Sequence, residues 1–340
     1  MNPNPALRST LHRIARLTLT LLTRTTIIGQ ENIPAHGPLL ILANHSSTID
    51  PMLLGMGLPE TTEGVGAGDF KLLFPANVIM AWYGLIPVKR SLQLDRASLK
   101  LMTDMLNSGK MLSLFPQGGT WEKPITDAKA GAAYLSMITG APILPVALGG
   151  TYRAWDKVVR LQRPHLTLTI GTVMPPVQAP AQKSQRGDVL DAATQEIMQR
   201  IYELLPPADQ RWYDELAATR YNLDVEIWRW KTREPIRLPG SAVLGEVLLK
   251  PNLISPLIQN AKLPLGPMLK HGVHFPADLV RTAATSLQSA LHSSYEGYME
   301  YRLGIDKSQQ LYAALDALID LTNSPGVGQI VLKPTSYRYP

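Results

Sequence analysis

Between residues 31 and 205, short continuous apolar runs alternate with stretches of helical periodicity, and this alternation constrains the fold more than any other feature of the chain. Residues 38–43 (PLLILA) have the length and composition of a buried strand, as do 85–88, 111–115, 143–148 and 166–173. Residues 51–58 read as a short helix and 92–107 carry a helical pattern. Residues 129–139 form a small-residue helix that Gly140 terminates, and 187–204 form another. Strands alternating with helices of ten or more residues predict an α/β fold, a mostly parallel sheet flanked by helices.

Two segments flank this layer. Residues 1–30 are expected to hold one amphipathic helix, over 5–24, in which Leu7, Leu11, Ile14, Leu17 or Thr18, Leu21 and Leu22 recur at helical spacing. Arg8, His12, Arg13 and Arg16 fall mostly between them, and no acid precedes Glu31. Such a helix suits a membrane interface, with its apolar face among acyl chains and its arginines among headgroups. The alternative is that the stripe packs on the protein's own core. No apolar run reaches the length of a membrane span. Arg16 and Arg24 interrupt the apolar positions, and no small-residue cleavage site follows, so a secretory signal is not expected either. These features predict a peripheral or monotopic protein on the cytoplasmic face of a membrane. At the other flank, Pro206-Pro207 marks an expected boundary. Residues 206–340 read as a mainly helical C-terminal extension of unassigned role, with helical patterns over 277–302 and 307–322 and aromatics crowded into 208–232.

Asn44-His45-Ser46-Ser47-Thr48-Ile49-Asp50 follows the 38–43 run directly. Five residues apart, His45 and Asp50 fall on different faces of a helix and on opposite faces of a strand. They meet only if the chain turns between them. Asp50 precedes Pro51, which biases it away from helical backbone, while proline is favoured at a helix start. The expected arrangement is therefore strand, turn, helix, with Asp50 as the helix N-cap and both side chains at the carboxyl edge of the sheet, where open α/β sheets bind ligands. A carboxylate on one imidazole nitrogen holds the tautomer and leaves the other nitrogen to take a proton from a hydroxyl. The alternative is that Asp50 only caps the helix and His45 is a loop residue, and spacing alone does not separate the two.

The motifs in order resemble the phospholipid/glycerol acyltransferase family of the lysophosphatidate acyltransferase (PlsC) type. The family's N-H-x4-D is complete as residues 44–50. Its G-x-x-F-x-x-R resembles Gly84-Leu85-Ile86-Pro87-Val88-Lys89-Arg90, with Pro87 in place of the aromatic. Its F-P-E-G-T-R resembles Phe115-Pro116-Gln117-Gly118-Gly119-Thr120, and its fourth motif resembles residues 142–146. The resemblance covers roughly residues 30–175 and implies a glycerolipid acyltransferase domain over 31–205. It implies His45 as general base and Asp50 as its partner, with Arg90, Gln117, Gly118 and Gly119 at the acceptor. The donor implied is an acyl-CoA or acyl carrier protein thioester, and the acceptor a hydroxyl of a lysophospholipid or related membrane lipid. No metal or cofactor is implied. Gln117 stands where the family has glutamate, so an acceptor-only carboxylate becomes an amide. The motif's arginine is absent, with Gly119, Thr120 and Trp121 in that stretch. Both changes leave room for a less charged acceptor.

Other chemistries find less support. The 340 residues include no cysteine, which excludes disulfides, cysteine-bound zinc and thiol catalysis. Residues 64–68 (GVGAG) lack dinucleotide-binding spacing, and G-x-S-x-G is absent. His271 and His274 are two histidines of a kind usual in ordinary loops and too few to make a metal site. The net charge of +6 comes with no nucleic-acid-binding module, so no nucleic-acid partner is expected. The rival from another class is a non-catalytic lipid-binding or scaffold protein on an acyltransferase fold, which the altered third motif favours and the intact His45–Asp50 pair opposes.

Overall fold

Leu39, Leu40, Ile41, Leu42 and Ala43 are all fully buried, so this strand has protein on both faces, as a continuous apolar run requires. Its side chains alternate. Leu40 and Leu42 join one core cluster, while Leu39, Ile41 and Ala43 join another. The computed structural model describes residues 5–68, 78, 82–90, 95–120, 122–254, 262–293 and 297–338. They form two units, Met1–Lys89 with Asp95–Ala217, and Arg90–Leu94 with Ala218–Pro340.

The first unit holds strands β1 (Arg24–Ile28), β2 (Leu39–Ala43), β3 (Glu63–Ala67), β4 (Ile86–Val88), β5 (Met111–Leu114), β6 (Ile143–Gly149) and β7 (His165–Ile170). Its helices are α1 (Pro5–Leu22), α2 (Asp50–Gly57), α3 (Arg96–Asn107), α4 (Gly131–Thr139), α5 (Ala154–Val159), α6 (Arg186–Glu203) and α7 (Pro207–Ala218). The strands form one sheet in the order β1-β7-β6-β2-β5-β3-β4. All neighbours pair in parallel except β6 with β7. Residues of α3, α4 and α6 cover the Leu40/Leu42 face, and residues of α1 and α2 cover the other. The mostly parallel, helix-flanked sheet is the one the apolar runs predict. The helical pattern over 92–107 begins at Arg96, with 92–94 outside the described residues.

Three features go beyond the sequence reading. Residues 1–30 are not a separate layer: Leu19 and Arg8 of α1 are buried in the first unit, and β1 pairs with β7. The glycines of 64–68 belong to β3 and its end, and Gly64 serves packing, since a Cβ there would lie 2.5 Å from a Leu85 methyl carbon. The boundary expected at 205/206 falls at 217/218. Pro207 opens α7 instead of linking domains, and α7 carries Trp212, Tyr213 and Leu216 into the core around Leu40.

The second unit contains β8 (Thr219–Arg229), β9 (Thr232–Ile236), β10 (His274–Pro276) and β11 (Val327–Arg338), all antiparallel in the order β10-β11-β8-β9. It also contains α8 (Ser241–Leu249), α9 (Gly266–Leu269), α10 (Ala277–Ser293), α11 (Tyr298–Leu303) and α12 (Ile305–Asn323). The helical extension is thus built on a sheet. Leu223, Val225 and Ile227 alternate inward along β8, opposite Ile330 and Leu332 of β11. Among the described residues no helix is long and apolar enough to cross a membrane.

Candidate active site

The parallel strands β5, β2 and β6 lie side by side, so the segments that leave their carboxyl ends meet. Asn44 and His45 leave β2, residues 115–118 leave β5, and Gly150 and Thr151 leave β6. Asn44 is buried and anchors this edge. Its amide nitrogen donates to the Leu148 carbonyl at 2.9 Å, and its amide oxygen accepts from the Leu148 N–H at 2.8 Å.

The turn expected between His45 and Asp50 is present. His45 Nδ1 lies 2.9 Å from Asp50 Oδ2. The carboxylate can only accept, so Nδ1 donates. Asp50 has no solvent exposure, and the same oxygen also accepts from the backbone N–H groups of Ser46 (2.7 Å) and Ser47 (2.8 Å). Asp50 is therefore the first residue of α2, not its N-cap. Its carboxylate reaches back into the turn, because the N–H groups of residues 46 and 47 converge there. The His45 side chain is 15% exposed and stacks on the Phe115 ring, with centroids 4.0 Å apart and planes 16° apart. Ser46 Oγ and Thr151 Oγ1, 2.8 Å apart, tie the turn to the end of β6.

Gln117 is buried, and its amide oxygen accepts the His45 N–H at 2.7 Å. The residue thus holds the backbone of the histidine. Gly118 closes the turn with its N–H on the Phe115 carbonyl (3.0 Å) at φ 74, a conformation that favours glycine. Gly119 is buried beside it, and Trp121 lies outside the described residues. Lys129 N–H bonds to the Pro116 carbonyl at 2.9 Å, bringing a half-buried cationic residue to this turn. Burial lowers the Lys129 pKa, and the Lys123 charge adds to the fall. Arg90, two residues past β4, is half-buried and is grouped with the second unit.

Helix α7 contributes two groups that the sequence reading placed outside the domain. Tyr213 is buried, and its hydroxyl lies 3.3 Å from the Asn44 amide nitrogen. Burial drives the phenol far above its ordinary pKa, against the pull of hydrogen bonds from Asn44 and Gln117. Asp209 accepts the Gly150 N–H at 2.9 and 3.1 Å. Gly150 sits at φ 71, where a Cβ would lie 2.2 Å from the His165 carbonyl oxygen. Burial raises the Asp209 pKa, the Gly150 bond opposes the rise, and the Asp50 charge adds to it. Among the described residues, no cluster of three or more His, Asp or Glu side chains forms a metal-binding group.

Residues 24–149 match the Acyltransferase family model. The chain is 27% identical over 147 residues to a probable 1-acyl-sn-glycerol-3-phosphate acyltransferase of Mycoplasma pneumoniae, covering 41% of this chain and 54% of that one. It is 28% identical over 136 residues to the 1-acyl-sn-glycerol-3-phosphate acyltransferase of Saccharomyces cerevisiae, covering 37% and 43%. The Bacillus subtilis protein of that name is 27% identical over 202 residues, covering 57% and 95%. The chain thus spans about half the length of the first two relatives and nearly all of the third. The crystal structure of the 1-acyl-sn-glycerophosphate (LPA) acyltransferase PlsC from Thermotoga maritima superposes with a TM-score of 0.41 at 18% identity, covering 57% of this chain and 78% of that one.

Proposed function

We propose, from a chain whose residues 24–149 form an acyltransferase-family domain, that the protein moves a fatty-acyl group from a thioester to a lipid hydroxyl. The observation that carries this reading is the 2.9 Å contact of His45 Nδ1 with fully buried Asp50, and Nε2 is the nitrogen proposed to accept the proton. His45 takes the proton as the acceptor hydroxyl attacks the thioester carbonyl. The C–O bond forms, the C–S bond breaks, and the thiol leaves with a proton returned to it. Asp50 keeps its charge and balances the imidazolium. The donor is acyl-CoA or acyl carrier protein, and no metal or redox cofactor enters the step.

The acceptor is a lysophospholipid or a related lipid. Gln117 supports this site through the His45 backbone, a task that a neutral amide oxygen performs as a carboxylate would. Its substitution for glutamate is therefore compatible with catalysis. Lys129, at the Gln117 turn, is a cationic residue proposed to meet an acceptor phosphate, and Arg90 is proposed for acceptor binding from its motif position alone. Gly118 and Gly119 are proposed to shape the headgroup pocket beside Gln117. The exposed residues Ile14, Leu17 and Leu21 of α1 are proposed to rest on the membrane, on its cytoplasmic face.

The test is acyl transfer from labelled acyl-CoA or acyl carrier protein to a panel of lysophospholipids and hydroxylated lipids. His45→Ala is expected to remove transfer while the thermal unfolding temperature stays near that of the native chain. Asp50→Asn is expected to cost on the order of four decades in rate, the scale seen when a triad aspartate loses its charge. Turnover retained by His45→Ala would refute the mechanism. Absence of transfer by the native chain with every donor would leave lipid binding as the function.

A further inference from the structure

Helix α5 ends in a way its sequence does not favour. The Gln162 N–H bonds to the Lys157 carbonyl and the Leu161 N–H to the Val158 carbonyl, both at 2.9 Å. This is the paired-bond stop in which the residue after the cap turns left-handed and is usually glycine. Here that residue is Leu161, at φ 56. Leu161 is 78% exposed, so packing does not offset the strain. Val159 beside it is 80% exposed, and Trp155, four residues before Val159 on the same helix face, is also exposed.

This turn is tied to α1. Arg163, itself at φ 45, donates through Nη2 to the carbonyls of Thr20 and Thr23, each at 3.1 Å. Leu17 and Leu21, on either side of Thr20, are exposed as well. One guanidinium thus joins two exposed apolar stripes. Around them the charge is basic. Residues 153–163 carry Arg153, Lys157, Arg160 and Arg163 against Asp156 alone, and α1 adds Arg13 and Arg16 with no acid. Such a rim repels a second copy of itself and suits an anionic surface.

We infer that residues 155–161 are a second lipid-contacting element, placing Val159 and Leu161 in the interface of an anionic bilayer beside Leu17 and Leu21. Trp155 Nε1 donates to Thr48 Oγ1 at 2.9 Å, so this helix is bonded to the turn between His45 and Asp50. A lipid drawn from that interface meets the turn without leaving the surface. The inference goes beyond the acyl-transfer reading and does not need it, since vesicle binding is measured without a thioester.

The experiment is flotation of the full chain with phosphatidylcholine vesicles, with and without phosphatidylglycerol. The native chain and His45→Ala should bind the anionic vesicles equally. Leu161→Gly removes the apolar side chain and relieves the left-handed strain. Its binding should fall about ten-fold while its unfolding temperature holds or rises. Adding Val159→Ser should lower binding further. Anionic-vesicle binding retained by the double variant would overturn the inference, as would a native chain that does not bind. A concentration-dependent dimer in sedimentation that Leu161→Gly abolishes, with no change in vesicle binding, would assign the turn to a second copy instead. A fall in unfolding temperature for Leu161→Gly would give Leu161 a structural role and also overturn it.

Discussion

Asp209 illustrates how one residue outside the motifs enters the site. Its carboxyl is held above its ordinary pKa, first by burial and then by the charge of Asp50, against the Gly150 hydrogen bond. A carboxyl raised in the folded state favours folding when protonated. Stability is therefore lost as pH rises from the unfolded value, near 3.9, through the raised folded value, and it stays lost above that. Asp209→Asn removes this titration and keeps an oxygen for the Gly150 N–H. Unfolding temperatures measured from pH 4 to 8 should show the variant gaining on the native chain as pH rises. A constant difference across that range would refute the coupling. Asp50 is the contrasting case: equally close to the site, it has three donors on one oxygen, which is how a buried carboxylate is held without a cationic side chain.

At the scale of elements, α1 has two faces that its sequence pattern does not tell apart. One side packs inward through Leu19. The buried Arg8 guanidinium meets Glu63 at 3.2 Å and lies over the Tyr83 ring. The other side exposes Ile14, Leu17 and Leu21, each more than half. Deleting the helix to test membrane binding would break the Arg8–Glu63 pair and leave Glu63 with Lys110 at 3.1 Å as its cationic partner, so lost structure would be confounded with lost binding. The informative variant is Ile14→Ser/Leu17→Ser/Leu21→Ser, which spares the inward side. It should release the protein from anionic vesicles while its circular dichroism and unfolding temperature stay close to native. Unchanged flotation would refute the role of this face. Trp230, 81% exposed at the β8–β9 turn, is then the next residue to substitute. Trp212 packs on Tyr152 and Tyr213, at 4.4 and 4.7 Å between ring centroids.

The whole molecule has two units with their own buried cores. The first centres on β2 and its neighbours. The second packs buried Leu244 and Val247 of α8, Val280 and Leu287 of α10 and Leu311, Leu315 and Leu318 of α12 with the sheet residues Val225, Ile227, Ile330 and Leu332. Two cores predict two unfolding events. Calorimetry of the intact chain should give an enthalpy larger than the van't Hoff value, with a transition resolvable into two. A single two-state transition with equal enthalpies would show that the units unfold together.

What the sequence determined by itself was local. The all-apolar 38–43 run specified a strand buried on both faces, and Asp50-Pro51 specified a turn into a helix. Together they brought His45 and Asp50 within reach, because strand end, turn and helix start are decided by neighbouring residues. Strand β8 was legible too, in the alternation of Leu223, Val225 and Ile227, though the crowded aromatics masked it. The tertiary structure decided what depends on residues far apart in the chain. Tyr213 and Asp209 reach the site only because α7 packs back onto the core, and nothing near Pro206-Pro207 announces that return. The side of α1 that turns inward was likewise settled by Glu63 and the sheet, since an amphipathic pattern states that a helix has two faces but not what covers each one.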